Sequence, residues 1–165
     1  MRRLQACSLA LCGGLSLLAD LGCGPLSPQN TVQAAEATSE DAAVLAVSVR
    51  GTPQAYTFGV QVRSPDAGCT RYANWWEVVT PDGKLVYRRI LQHSHKDEQP
   101  FTRTGGPIPI AGDNEVIVRV HVHPDGYART AMRGSPLGGF SAVTLAPGWA
   151  QDLEKQAPLP ESCAF

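Results

Sequence analysis

The chain has 165 residues, with 14 Lys and Arg against 15 Asp and Glu, a formal net charge of -1, and 43% hydrophobic residues. That size fits one domain once a targeting segment is set aside, and the charge balance leaves no basic excess for a nucleic-acid backbone, so no nucleic-acid partner is expected. Thirteen Pro and 16 Gly indicate a fold with many turns rather than a helical bundle.

Residues 1–23 read as an export signal. Arg2 and Arg3 give a positive start, and Leu4 to Leu21 form an apolar, small-residue stretch. The run is short, contains Gly13-Gly14 and Asp20, and is followed by polar residues, which separates it from a permanent membrane span. Its end, Asp20-Leu21-Gly22-Cys23, resembles the bacterial lipoprotein cleavage box, although Asp20 stands where that box usually has Leu. The resemblance implies lipidation of Cys23, which would hold the protein on a membrane without spanning it. Soluble release after Ala35-Glu36-Ala37 is the alternative. Residues 24–41 show no apolar period and read as a flexible linker ahead of a domain over 42–165.

From residue 43 the apolar pattern has period two. Leu45, Val47 and Val49 begin it, and Tyr56, Phe58, Val60 and Val62 follow. A third strand over 71–79 and a fourth over 84–91 flank Thr80-Pro81-Asp82-Gly83, a turn sequence, so 71–91 is a hairpin. The strand over 115–123 is the clearest, with four valines on one face and Ile117, Arg119, His121 and His123 on the other. Further strands are expected near 127–132 and 140–145, and a short helix over 149–156. These elements predict an all-β fold, an antiparallel β-sandwich of the immunoglobulin or fibronectin III type with a short C-terminal helix; a small barrel is the alternative.

Cysteine usage agrees with export. Cys7 and Cys12 lie within the signal, and Cys23 is either lipidated or removed. Cys69 and Cys163 then form an even pair, best read as a disulfide, with two unpaired buried thiols as the alternative. Neither has a Cys or His at zinc-motif spacing.

Several blocks carry a resemblance to known proteins: Tyr72-Ala73-Asn74-Trp75-Trp76-Glu77-Val78, Tyr87-Arg88-Arg89-Ile90-Leu91, His93-Ser94-His95, Asp97-Glu98-Gln99-Pro100-Phe101 and Glu161-Ser162-Cys163-Ala164-Phe165. They resemble a group of uncharacterised exported bacterial proteins and lipoproteins. The resemblance spans most of residues 42–165. It implies a secreted or lipid-anchored setting and a β-rich fold, and brings no activity and no catalytic residue.

The histidines form two His-X-His pairs, His93 with His95 and His121 with His123. On strands such residues share a face, and imidazole is the commonest transition-metal ligand. With the valines of the 115–123 strand facing the core, His121 and His123 are expected to face solvent beside Arg119. If the loop carrying His93 and His95 folds over that face, four ligands for Zn or Cu converge, with Asp97 and Glu98 nearby. The competing interpretation is a polar strand face and a hydrogen-bonded loop. A cupin-type metal enzyme fits poorly: Glu98 comes one residue early after His93-X-His95, and no second motif follows. No nucleophile elbow, phosphate loop or zinc-protease helix occurs. Trp75 and Trp76, adjacent on a strand, must face opposite ways, so one enters the core and its neighbour either packs under the loop carrying Phe101 or, with Arg119, forms a candidate ligand surface. The sequence as a whole indicates an exported, membrane-anchored, non-enzymatic binding or structural module of the cell envelope, with an envelope protein or small ligand as partner. A metal-binding periplasmic or extracellular protein is the second interpretation.

Overall fold

The structure, a computed structural model, describes residues 41–164. The export signal, Cys23 and the linker up to residue 40 lie outside the described residues. Nine strands follow in chain order: β1 (Ala43–Arg50), β2 (Tyr56–Arg63), β3 (Tyr72–Val79), β4 (Leu85–Ile90), β5 (Phe101–Ile108), β6 (Val116–His123), β7 (Gly126–Tyr127), β8 (Thr130–Ser135) and β9 (Gly139–Thr144). The fold is all-β, but the expected pair of facing sheets is replaced by one continuous sheet, ordered β4-β3-β6-β8-β1-β2-β5, with β7 on β6 and β9 on β8.

The reason is β1. It pairs antiparallel with β2 along its length and meets β8 in a parallel bridge at Ala43 and Thr130, which joins two ladders that would otherwise be separate layers. The sheet is therefore mixed, and it curls until β4 and β5 lie against each other and nearly close a barrel. Closure removes most exposed edge. Between β4 and β5 the junction is made by side chains: Arg89 Nε donates to the Thr104 carbonyl at 3.2 Å, and Trp76 and Tyr87 pack against Gly105.

The barrel interior is filled as the period-two pattern requires. Val116, Val118, Val120 and Val122 of β6 join Val78, Trp76 and Ala73 of β3, Val60, Val62 and Phe58 of β2, and Phe101 of β5 in one core. Bulges between Val44 and Ala46 in β1 and between Ala73 and Trp75 in β3 shift the register within each strand. After the first, Leu45 is left exposed while Val44 enters the core. Strand β5 was not expected, because Gly105-Gly106-Pro107 reads as a turn. Pro is tolerated there because β5 pairs only with β2 and needs no second ladder. The expected helix over 149–156 is one short 3-10 turn, Gln151–Lys155.

Gly105 is where the closure is tightest. A Cβ at this position would lie 2.8 Å from ring atoms of both Trp76 and Tyr87. Gly105→Ala is expected to destabilise the domain by about 1–3 kcal/mol through overpacking, read as a shift in the urea midpoint. An unchanged midpoint would show that the junction does not hold the barrel shut.

Candidate functional site

The outer face of β6 was expected to be wet. It is buried. In register, Glu77 stands between Arg119 of β6 and Arg88 of β4, and Trp75 stands opposite His121. Glu77 Oε1 takes Arg119 at 2.8 Å and Oε2 takes Arg88 Nε at 2.7 Å, with Glu77 and Arg119 fully buried. The remaining guanidinium hydrogens find carbonyl oxygens of the segment after β9. Arg119 donates to Trp149 and Ala150 at 2.7 and 2.8 Å, and Arg88 to Leu153, Gln156 and Pro158 at 2.7, 2.5 and 3.0 Å. Arg119 also lies 3.4 Å above the Tyr127 ring, and Arg88 4.6 Å above Trp75.

Residues 145–158 thus form a strap that crosses β6, then β3, then β4. Leu145 and Trp149 pack on Ile117, and Leu153 is the buried residue of the 3-10 turn. Beyond the turn, Ala164 N donates to the Gln92 carbonyl, and Cys163 bonds to Cys69 just before β3. The disulfide expected from cysteine counting is present, and it fastens the far end of the strap.

His121 is part of this covered face, contrary to the expectation that it faces solvent. Its ring stacks on Trp75 at 3.8 Å and 8°. Nδ1 lies 2.6 Å from Asn74 Oδ1, which assigns the proton of the neutral ring to Nδ1. Burial, then the Arg88 and Arg119 charges and His123, hold its pKa down from 6.5 to about 3. The folded state therefore keeps a neutral ring over a range in which the unfolded chain takes up a proton. Stability is complete above the unfolded value near 6.5 and falls as pH drops towards about 3. The loss expected from this group is on the order of 4 kcal/mol. Urea unfolding across that range should show a steep acid limb that His121→Gln flattens; equal slopes in both proteins would contradict the assignment.

Trp75 and Trp76 are both buried, one under the strap and the other inside the barrel, so neither offers the ligand surface expected of it; Arg119 is withdrawn by the same cover. His123 is exposed, at the end of β6 beside Tyr72. Among the described residues, no group of three or more His, Cys, Asp or Glu side chains is placed to hold a metal ion, so the four histidines do not form one site.

The other pair sits elsewhere. His95 is buried in the loop after β4, stacked on Phe101 at 3.9 Å and 4.5 Å from the His93 ring, while His93 is exposed. Asp66 anchors the loop, accepting Ala73 N at 2.9 Å and His95 N at 2.7 Å. Burial, Arg103 and His93 lower the His95 pKa. The rings border a cleft of about 80 Å³ with Arg89 and Arg103. A second cleft, about 170 Å³, lies where β7 meets the strap and is lined by Asp125, Tyr127, Arg129, Trp149 and Glu154 among others.

Fold and clefts together define an all-β protein: a nearly closed barrel with a strap fastened over its outer face by an arginine–glutamate network and one disulfide. The chain is similar to a protein named "Putative lipoprotein" from Halomicrobium mukohataei, at 38% identity over 79 residues, covering 48% of this chain and 39% of that one. The chain therefore matches about two fifths of the length of this curated relative. No family model and no solved structure matches it.

Proposed function

We propose that this chain is an exported protein held on a membrane by lipid at Cys23, and that its barrel serves as a non-enzymatic binding or structural module of the cell envelope. The observation that carries the reading is the similarity to a protein named as a lipoprotein, which adds to the Asp20-Leu21-Gly22-Cys23 sequence. The Cys69–Cys163 bond supports it, since such bonds persist in oxidising compartments outside the cytosol. The non-enzymatic part rests on how the polar groups are used. Glu77, Arg88, Arg119 and His121, the charged and perturbed groups of the covered face, are satisfied by one another, by strap carbonyls and by Asn74.

Cys23→Ala tests the anchor. The unaltered protein is expected in the membrane fraction of its host and the variant in the soluble exported fraction. Equal partition of the two would contradict lipidation at this residue.

A further inference from the structure

His95 has an unusual environment. Its side chain is buried, yet neither ring nitrogen has a hydrogen-bond partner among the described residues. Buried polar groups of folded proteins nearly always have partners. Asp66 does not supply one: Oδ2 is 3.9 Å from Nδ1, beyond hydrogen-bond reach, and already accepts the His95 backbone N–H. His95 and the exposed His93 both border the 80 Å³ cleft.

Two guanidiniums line the same cleft. Arg103 is held by Glu98 at 3.1 and 2.7 Å and by the Thr102 carbonyl. Among the described residues Arg89 spends only its Nε, on the Thr104 carbonyl, which leaves both terminal amino groups for a ligand. Among the described residues, the charges around the cleft are Arg89 and Arg103 against Glu98 and Asp66; Glu98 is paired with Arg103 and both Asp66 oxygens are engaged by backbone amides. The Arg89 guanidinium is thus the charge with donors to spare, which favours an anion as ligand. Guanidinium forks match carboxylate and phosphate oxygens, and imidazole N–H adds a directed donor. About 80 Å³ suits an ion of a few heavy atoms and is far below the volume that an organic ligand of drug size occupies.

We propose that this cleft binds a tetrahedral oxyanion of the phosphate class, with Arg89 and the His95 imidazole as donors and His93 on its border. Free phosphate and the phosphate of a membrane lipid headgroup present the same chemistry. The site is independent of whether Cys23 carries a lipid.

The test uses the full chain carrying Cys23→Ala, so that no lipid tether contributes, and follows the ring signals of His93 and His95 by NMR. Inorganic phosphate should shift them saturably at millimolar or lower concentration, and Arg89→Gln, an exposed position, should weaken binding about tenfold. Vesicles of phosphatidylglycerol set against vesicles of phosphatidylcholine identify the source. Shifts with phosphatidylglycerol that free phosphate competes away assign a headgroup; shifts with phosphate alone assign a soluble anion. The proposal is overturned if neither ligand moves the signals, if Arg89→Gln binds as well as the parent, or if zinc chloride moves them while phosphate does not.

Discussion

Glu77→Gln is expected to destabilise the domain by about 3–5 kcal/mol, enough to unfold many single domains outright. The carboxylate faces two guanidiniums, each fully buried at its side chain and each fixed in place by strap carbonyls. With the carboxylate present, the buried cluster carries one excess positive charge, offset by five carbonyl dipoles and by the Trp75, Tyr127 and Trp149 ring faces. Neutralising Glu77 leaves two like charges side by side with no counter-ion, and the low dielectric that strengthens the pair then amplifies the repulsion. The asymmetry provides a second observable. Replacing Glu77, Arg88 and Arg119 together with apolar residues of similar volume should cost less than Glu77→Gln alone, because no uncompensated charge remains. Urea unfolding of the parent and the two variants measures both effects. A loss below about 1 kcal/mol for Glu77→Gln would mean that water reaches the cluster and that the strap does not seal it.

Replacing Cys69 and Cys163 together with Ser is the second large effect, an expected loss of about 4–5 kcal/mol in the chain-entropy account. The bond closes a loop spanning 94 positions of sequence, from just before β3 to the end of the strap, so its main action is to restrict the unfolded chain. In the folded protein it also fastens the segment beyond Pro158, where the last arginine contact to the strap is made. The variant should therefore lose thermal stability and also expose residues 159–164 to limited proteolysis at temperatures where the barrel stays folded. A variant equally resistant to proteolysis would show that Arg88 and the Ala164–Gln92 contact hold the end unaided.

Much of the barrel could be read from the residues, and the failures have physical causes. The alternation in β6 identified its core face because valines at every second position can bury only one way. The same alternation misled on the opposite face. Arg119 and His121 looked solvent-facing because the strap that covers them, Leu145 to Pro158, has no apolar period and meets β6 only through tertiary structure. One signal was present: Glu77 interrupts the apolar run Trp75-Trp76 and Val78-Val79, and a charge at that place needs a buried partner. Its partners, Arg88 and Arg119, lie 11 and 42 positions away and become neighbours only through strand order. The cysteine pair was legible because an even count in an exported chain leaves few alternatives. Sheet closure stayed open between a sandwich and a small barrel, since a single parallel bridge at Ala43 and Thr130 decides between two layers and one curled sheet. The His-X-His pairs show the limit of spacing as a signal: it places two rings on one side of the backbone and says nothing of what that side meets. For His121 it meets Trp75, and for His95 Phe101 and a small cleft.

A lipid-anchored chain that carries this barrel outside the cytosol would bear acyl chains at its N-terminus and an oxidised cysteine pair. Mass spectrometry of the protein isolated from its native host without reductant tests both most directly. The expected result is an N-terminal peptide beginning at Cys23 with the added mass of acyl chains, and a linked peptide pair containing Cys69 and Cys163. An unmodified N-terminus beyond Cys23, or free thiols at both positions, would contradict it.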